Sequence, residues 1–206
     1  MIVSKIPIGA AGLALLLTAG VAHAGVGDKP VASSLVKMTP DQIAQRVDVR
    51  DDPLEDHVLF STKPVHRKGG FTNGVAVNDG FIKATKSRRG EGVTWRVSYD
   101  LTYFGPRRDV TTVHMRSSEG LLKIKPATVR RWSEECPDSA ITCSQHMTIE
   151  FEAPDHVIRH IAAAYQPGDR TPWRLRFKDD QGDGVTVGLA PVEVAGLVGA
   201  VDRWKP

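Results

Sequence analysis

The stretch GVTWRVSYDLTYF, residues 92–104, decides the fold. Val93, Trp95, Val97, Tyr99, Leu101 and Tyr103 fall on one side of it, and Thr94, Arg96, Ser98, Asp100 and Thr102 on the other. Successive side chains of an extended chain point to opposite faces, so this alternation predicts a long strand with one face in a core and one in water.

The pattern recurs along the chain. In QHMTIEFE (145–152), Met147, Ile149 and Phe151 alternate with His146, Thr148, Glu150 and Glu152. In WRLRFK (173–178), Trp173, Leu175 and Phe177 alternate with Arg174, Arg176 and Lys178. Shorter candidate strands lie at 57–62, 74–77, 81–86, 108–116, 127–132 and in VTVGL (185–189), with glycine-rich turns between several of them.

Two segments carry helical spacing instead. Residues 155–165 follow Pro154 and stop before Pro167-Gly168, with Val157, Ile158, Ile161, Ala162 and Tyr165 on one stripe. Residues 191–202 start with a proline, which suits a first helical turn. Thr39-Pro40-Asp41-Gln42 has the form of a capping box and predicts one further short turn of helix.

Neighbouring strands with polar outer faces point to antiparallel pairing. The expected fold is mainly β (α+β by strict count), an antiparallel two-sheet sandwich or partly open barrel with two short helices. Residues 46–206 form the single β-rich domain, after a loose lead-in over 25–45.

Residues 1–24 have the features of a signal peptide. Lys5 is their only charge, an apolar run reaches Leu17, and Ala22-His23-Ala24 is an A-x-A cleavage site. Cleavage is expected between Ala24 and Gly25, with a retained membrane anchor as the alternative; the apolar run is short for a span of about 20 residues. Nothing later is long and apolar enough to span a bilayer. The expected location is therefore periplasmic or secreted, with no transmembrane segment after cleavage.

That compartment is oxidising and bears on the two cysteines, Cys136 and Cys143, in EECPDSAITCSQH (134–146). A zinc site wants four ligands, a redox dithiol normally reads C-x-x-C, and an exported cysteine pair is usually a disulfide. The expected pairing is a Cys136–Cys143 disulfide, worth about 2.5 kcal/mol on the chain-entropy model. Free thiols and a metal site with His146 are the alternatives.

Charge narrows the partners. Of the 27 basic residues the leader removes Lys5, against 24 acidic ones. The remaining net charge of about +2 is too balanced for a nucleic-acid stripe. The pairs Arg88-Arg89, Arg107-Arg108 and Arg130-Arg131 are scattered. No nucleic-acid partner is expected; the partner is an envelope protein or small ligand.

Several constellations invite chemistry and fall short of it. His156 and His160 share a helix face, but Arg159 stands between them and no glutamate completes a zinc motif. Asp179-Asp180-Gln181-Gly182-Asp183-Gly184 starts like a calcium loop, but carries Gln181 third and Ala190 twelfth. It reads as a hairpin turn. Asp51, Asp52, Glu55, Asp56 and His57 crowd one acidic turn that could attract a divalent cation. Ser34-Leu35-Val36-Lys37 has the S-x-x-K form of penicillin-recognising enzymes without its partner motifs. No complete catalytic constellation emerges, so no catalytic residue and no cofactor are assigned. Tyr103 with Arg107 and Arg108, aromatic and arginine at a strand end, is the candidate interaction surface.

The chain resembles a loosely defined group of exported bacterial β-rich proteins of unknown function. The resemblance rests on Asp51-Asp52-Pro53-Leu54-Glu55, on Tyr103 followed by Arg107-Arg108, on Arg131 before Cys136 and Cys143, and on Pro191 with Glu193-Val194-Ala195-Gly196-Leu197. It implies export and a β-rich fold, and no activity. The leading expectation is a non-catalytic periplasmic binding or interaction module. The alternative is a metal-dependent hydrolase or metal-binding protein with ligands from Asp51, Asp52, Glu55, His57, His146, His156 and His160.

Overall fold

A computed structural model describes residues 29–66, 69–72, 74–90, 92–105, 107–133, 144–180, 182 and 184–205. Residues 1–24, expected as a signal peptide, and both Cys136 and Cys143, expected as a disulfide, lie outside the described residues.

The long alternating stretch forms β5 (Val93–Phe104) at the middle of a large antiparallel sheet. Around it stand β1 (Asp48–Arg50), β2 (His57–Ser61), β3 (Gly70–Thr72), β4 (Val75–Ser87), β8 (Thr128–Ser133) and β9 (Ser144–Ala153). The order is β1-β2-β4-β5-β9-β8, with β3 also paired to β4. A second sheet has the order β11-β10-β6-β7, from β6 (Val110–Ser117), β7 (Gly120–Ile124), β10 (Trp173–Asp179) and β11 (Gly184–Leu189). Among the described residues the protein is mainly β, with two antiparallel sheets and four helices: the two expected, the turn after the capping box, and one more at Ser33–Val36.

Register aligns the inward residues in rows: Ile82, Val97 and Phe151; Gly80, Tyr99 and Ile149; Val77, Leu101 and Met147. The second sheet closes over them, with Phe177 edge-on to Tyr99 at 5.5 Å and to Phe151 at 6.2 Å. Glycine is needed at position 80, because a Cβ there would stand 2.3 Å from Tyr99 Cε1. The ladder between β4 and β5 shifts between Val77 and Asp79. Val75 and Val77 point inward before this bulge, and Gly80, Ile82 and Ala84 after it. That one-residue change of parity is why 74–77 and 81–86 read as separate strands.

Helices complete the inner layer over β2 and β4. They are α1 (Ser33–Val36), α2 (Pro40–Ala44), α3 (Asp155–Ala163) and α4 (Pro191–Arg203). Val194, Leu197 and Val201 of α4 join Val58, Phe60 and Ile82 in one core. The capping box at Thr39 and Gln42 forms as read, with both reciprocal hydrogen bonds. The segment expected as a loose lead-in buries Val31, Leu35 and Ile43. Ile43 packs where α2 meets α4 so closely that a Cβ on Gly196 would lie 2.4 Å from it. Asp155, in the first turn of α3, accepts the indole N–H of buried Trp95 at 2.8 Å.

Within this core is a polar knot. Glu193 is wholly buried and accepts a 2.6 Å hydrogen bond from the Thr62 hydroxyl, and Asp79 is also buried nearby the same end of Tyr99. No helix among the described residues is long and apolar enough to cross a membrane.

Candidate functional site: a basic groove on the open sheet face

With the second sheet and the helices on one side of the large sheet, its other side meets solvent. Register sets the composition of that outer side. Asp48 stands opposite Ser61, Ser61 opposite Lys83, Lys83 opposite Arg96, and Arg96 opposite Glu152. One row away, Phe81 lies opposite Ser98 and Ser98 opposite Glu150.

Asp48, Ser61, Phe81, Lys83, Arg96 and Glu150 line a groove of about 710 Å³ that also takes in Arg50, Leu59 and Lys63. Its floor is Phe81, which the bulge turns away from the core. The ring is only 4% exposed, because two ammonium groups cover it. Lys63 Nζ lies 5.4 Å and Lys83 Nζ 5.1 Å from its centroid. Such contacts are attractive, and the lysine stems shield the ring from water.

The charges differ in how firmly they are held. Lys83 donates to Glu150 Oε1 at 2.6 Å. Partial burial pushes the Glu150 carboxyl up, but the Lys83 hydrogen bond and charge, the Ser98 hydroxyl and the Arg96 charge together hold it below the usual carboxylate range. Arg96 pairs with Glu152 at 2.8 Å and Arg50 with Asp48 at 3.3 Å. Lys63, exposed at the rim, has no carboxylate in ion-pair distance among the described residues.

The three residues of the expected strand-end surface differ in exposure. Tyr103 is 2% exposed and faces the inter-sheet core, as its parity with Trp95 and Tyr99 dictates. Its hydroxyl accepts the Arg108 backbone N–H at 2.9 Å, and the Arg108 guanidinium lies over its ring at 5.6 Å. Asp109 pairs with Arg131 and with Arg107 at 3.5 Å. Arg107 is exposed and Arg108 half-buried, and the cluster fastens a turn.

The acidic turn is likewise occupied by arginines. Arg88 donates to Asp51, to the Asp52 carbonyl at 2.7 Å and to the Glu55 carbonyl at 2.8 Å, and Arg89 pairs with Asp56 at 3.3 Å. Asp51 also accepts the Trp204 indole N–H at 2.9 Å. That bond, ahead of the Arg88 hydrogen bond and charge, holds its carboxyl below the usual range despite some desolvation. His57 begins β2, paired with Ser87. His156 and His160 are exposed on α3, where Arg159 between them pairs with Asp155 and Asp202 at 3.1 Å. His146 stacks on Trp132. Among the described residues, no three His, Cys, Asp or Glu side chains gather as a metal ion would require. Asp179 and Gly184 flank the β10–β11 hairpin, and Ser34 is an exposed residue of α1.

Sequence reasoning missed the groove. Alternation put Arg96, Glu150 and Glu152 outward, but nothing local joined them to Lys63, Phe81 and Lys83, which come from the opposite half of the sheet. No protein-family model, curated protein or solved structure matches this chain.

Proposed function

We propose that the protein is a binding module whose groove holds a small ligand with an anionic head and an apolar tail, in the cell envelope or outside the cell as its leader implies. The observation that carries this is the set of four cations, Arg50, Lys63, Lys83 and Arg96, around an aromatic floor, against two lining carboxylates, Asp48 and Glu150. The volume lies in the usual range for small-molecule sites, and a few polar groups over an apolar floor is their common makeup.

Lys63 is the entry point. Its ammonium exchanges the Phe81 ring for the ligand's anion and so uncovers the ring for the tail, with Leu59, 41% exposed, extending the apolar surface. Lys83 and Arg96 keep their carboxylate partners and set the positive potential that draws the anion in.

Calorimetry with octanoate, and with octanol as the uncharged chain of equal length, tests the reading. Octanoate is expected to bind saturably and octanol not. Lys63→Ala should weaken octanoate about fivefold, the scale of one exposed charge pair at about 1 kcal/mol, with unchanged thermal unfolding. Equal binding of the two probes, or indifference to Lys63→Ala, would refute it.

A further inference from the structure

Trp132 stands on the same open face, at the far corner from the groove. It belongs to the edge strand β8, where 52% of it is exposed, and it lies directly opposite His146 of β9. The indole stacks on the imidazole with centroids 5.1 Å apart and planes 5° from parallel. The imidazole has a polar neighbour at each nitrogen. The Thr102 hydroxyl, which accepts the Asn78 amide at 2.7 Å, lies 3.0 Å from His146 Nδ1, and the Ser144 hydroxyl lies 3.4 Å from Nε2. The indole is thus backed by a hydrogen-bonded ring, and half of it is exposed to water.

We propose that this indole face is a stacking platform for a pyranose ring of a carbohydrate. A half-exposed, pre-oriented aromatic offers the flat apolar surface that the C–H face of a sugar needs, and it binds without ordering a mobile side chain. The hydroxyls of Thr102 and Ser144 and the Asn78 amide surround the imidazole behind the indole, and they suit a ligand whose rim is made of hydroxyl groups. The neighbouring charge is balanced. Arg130, two residues before Trp132, is paired in register with Thr148, whose hydroxyl donates to Asp100 at 2.8 Å. With one cation and one carboxylate in that row, the platform favours an uncharged ring over a base carried on a phosphate chain, which wants a basic track beside its stacking groups.

The site is separate from the groove. Glu150, the groove residue nearest to it, is four residues from His146 on β9, and Trp132 lies one strand further across, so about 14 Å separates the two. The reading therefore stands whether or not the groove takes an anion.

Tryptophan fluorescence and saturation-transfer NMR on the purified protein, with cellotriose, maltotriose and chitotriose as probes and a hexathymidylate as the competing class, decide it. At least one trisaccharide is expected to bind saturably at about millimolar Kd, more tightly than the oligonucleotide. Trp132→Ala should weaken it about tenfold or more, the scale of one lost ring stack. Trp132→Phe should keep part of the affinity, and Lys63→Ala should leave it unchanged. Absence of saturation by all three sugars, equal affinity in Trp132→Ala, or tighter binding of the oligonucleotide would overturn the proposal.

Discussion

Replacing Thr62 with valine tests the polar knot in the core. The two side chains have nearly the same shape, so the change removes a hydroxyl without opening a cavity. That hydroxyl is wholly buried and occupied on both sides. It donates to Glu193 Oε1 at 2.6 Å and accepts the Ile82 backbone N–H at 3.1 Å. The Ile82 carbonyl lies 3.2 Å away, but the hydroxyl has one proton, and the carboxylate is closer. Valine thus leaves a backbone donor and a carboxylate oxygen in the interior without this partner. Each such group costs about 1–3 kcal/mol, more for a charged one. The expected loss is about 2–6 kcal/mol, a large share of the 5–15 kcal/mol that keeps a typical domain folded. Urea unfolding should show a lower midpoint at unchanged slope. Thr62→Ser, which keeps the hydroxyl, should lose much less. A Thr62→Val cost under about 1 kcal/mol, or equal costs for valine and serine, would show that the hydroxyl is not holding the carboxylate.

Two pH dependences follow. Glu150 sits below its unfolded value, near 4.3, so its contribution is present above that pH and is lost as pH falls through the lower folded value. Glu150→Gln should flatten the acid limb of the urea midpoint between about pH 5 and 3, and an unchanged limb would remove the Lys83 pair from the account. Tyr99 behaves in the opposite sense: full burial first, then the Glu193 and Asp79 charges, raise its phenol well above the ordinary value. Unfolded tyrosine ionises near pH 10, so stability falls as pH rises beyond that point, and Tyr99→Phe should reduce the fall. In an ultraviolet titration of the folded protein Tyr99→Phe should ionise as many phenols as the parent, and one fewer would contradict the assignment.

The large-scale plan was readable because a half-buried sheet writes its burial into alternate residues. Trp95, Val97, Tyr99 and Leu101 needed no more than parity to be placed. The same parity already put Tyr103 on the inner face, and reading it as a surface residue gave local composition more weight than the strand pattern. Phe81 was hidden by the opposite effect. The bulge at Asn78 and Asp79 reverses parity, so an aromatic that looks like core points to the solvent side, where two lysines lie over it. The strands β1, β3 and β7 are three to five residues long, too short for a period to establish itself. Sequence also hides the site, since Asp48, Lys63, Lys83, Arg96 and Glu150 meet only through strand order and register, properties of pairing between distant segments.

Energetically, the two sides of the large sheet are independent. The inner side carries the folding free energy, in rows of large apolar groups and a buried carboxylate whose partners cannot be removed cheaply. The outer side is built from exposed pairs such as Arg96–Glu152, which contribute at most about 1 kcal/mol each, and from Lys63, which has no carboxylate to lose among the described residues. A stability ranking and a binding ranking of variants should therefore separate by face: Thr62, Gly80 and Glu193 govern unfolding, and Lys63 and Trp132 govern ligand capture. An outer-face substitution that abolished folding would break that separation, and with it the argument that the polar side of this sheet is kept open for a ligand.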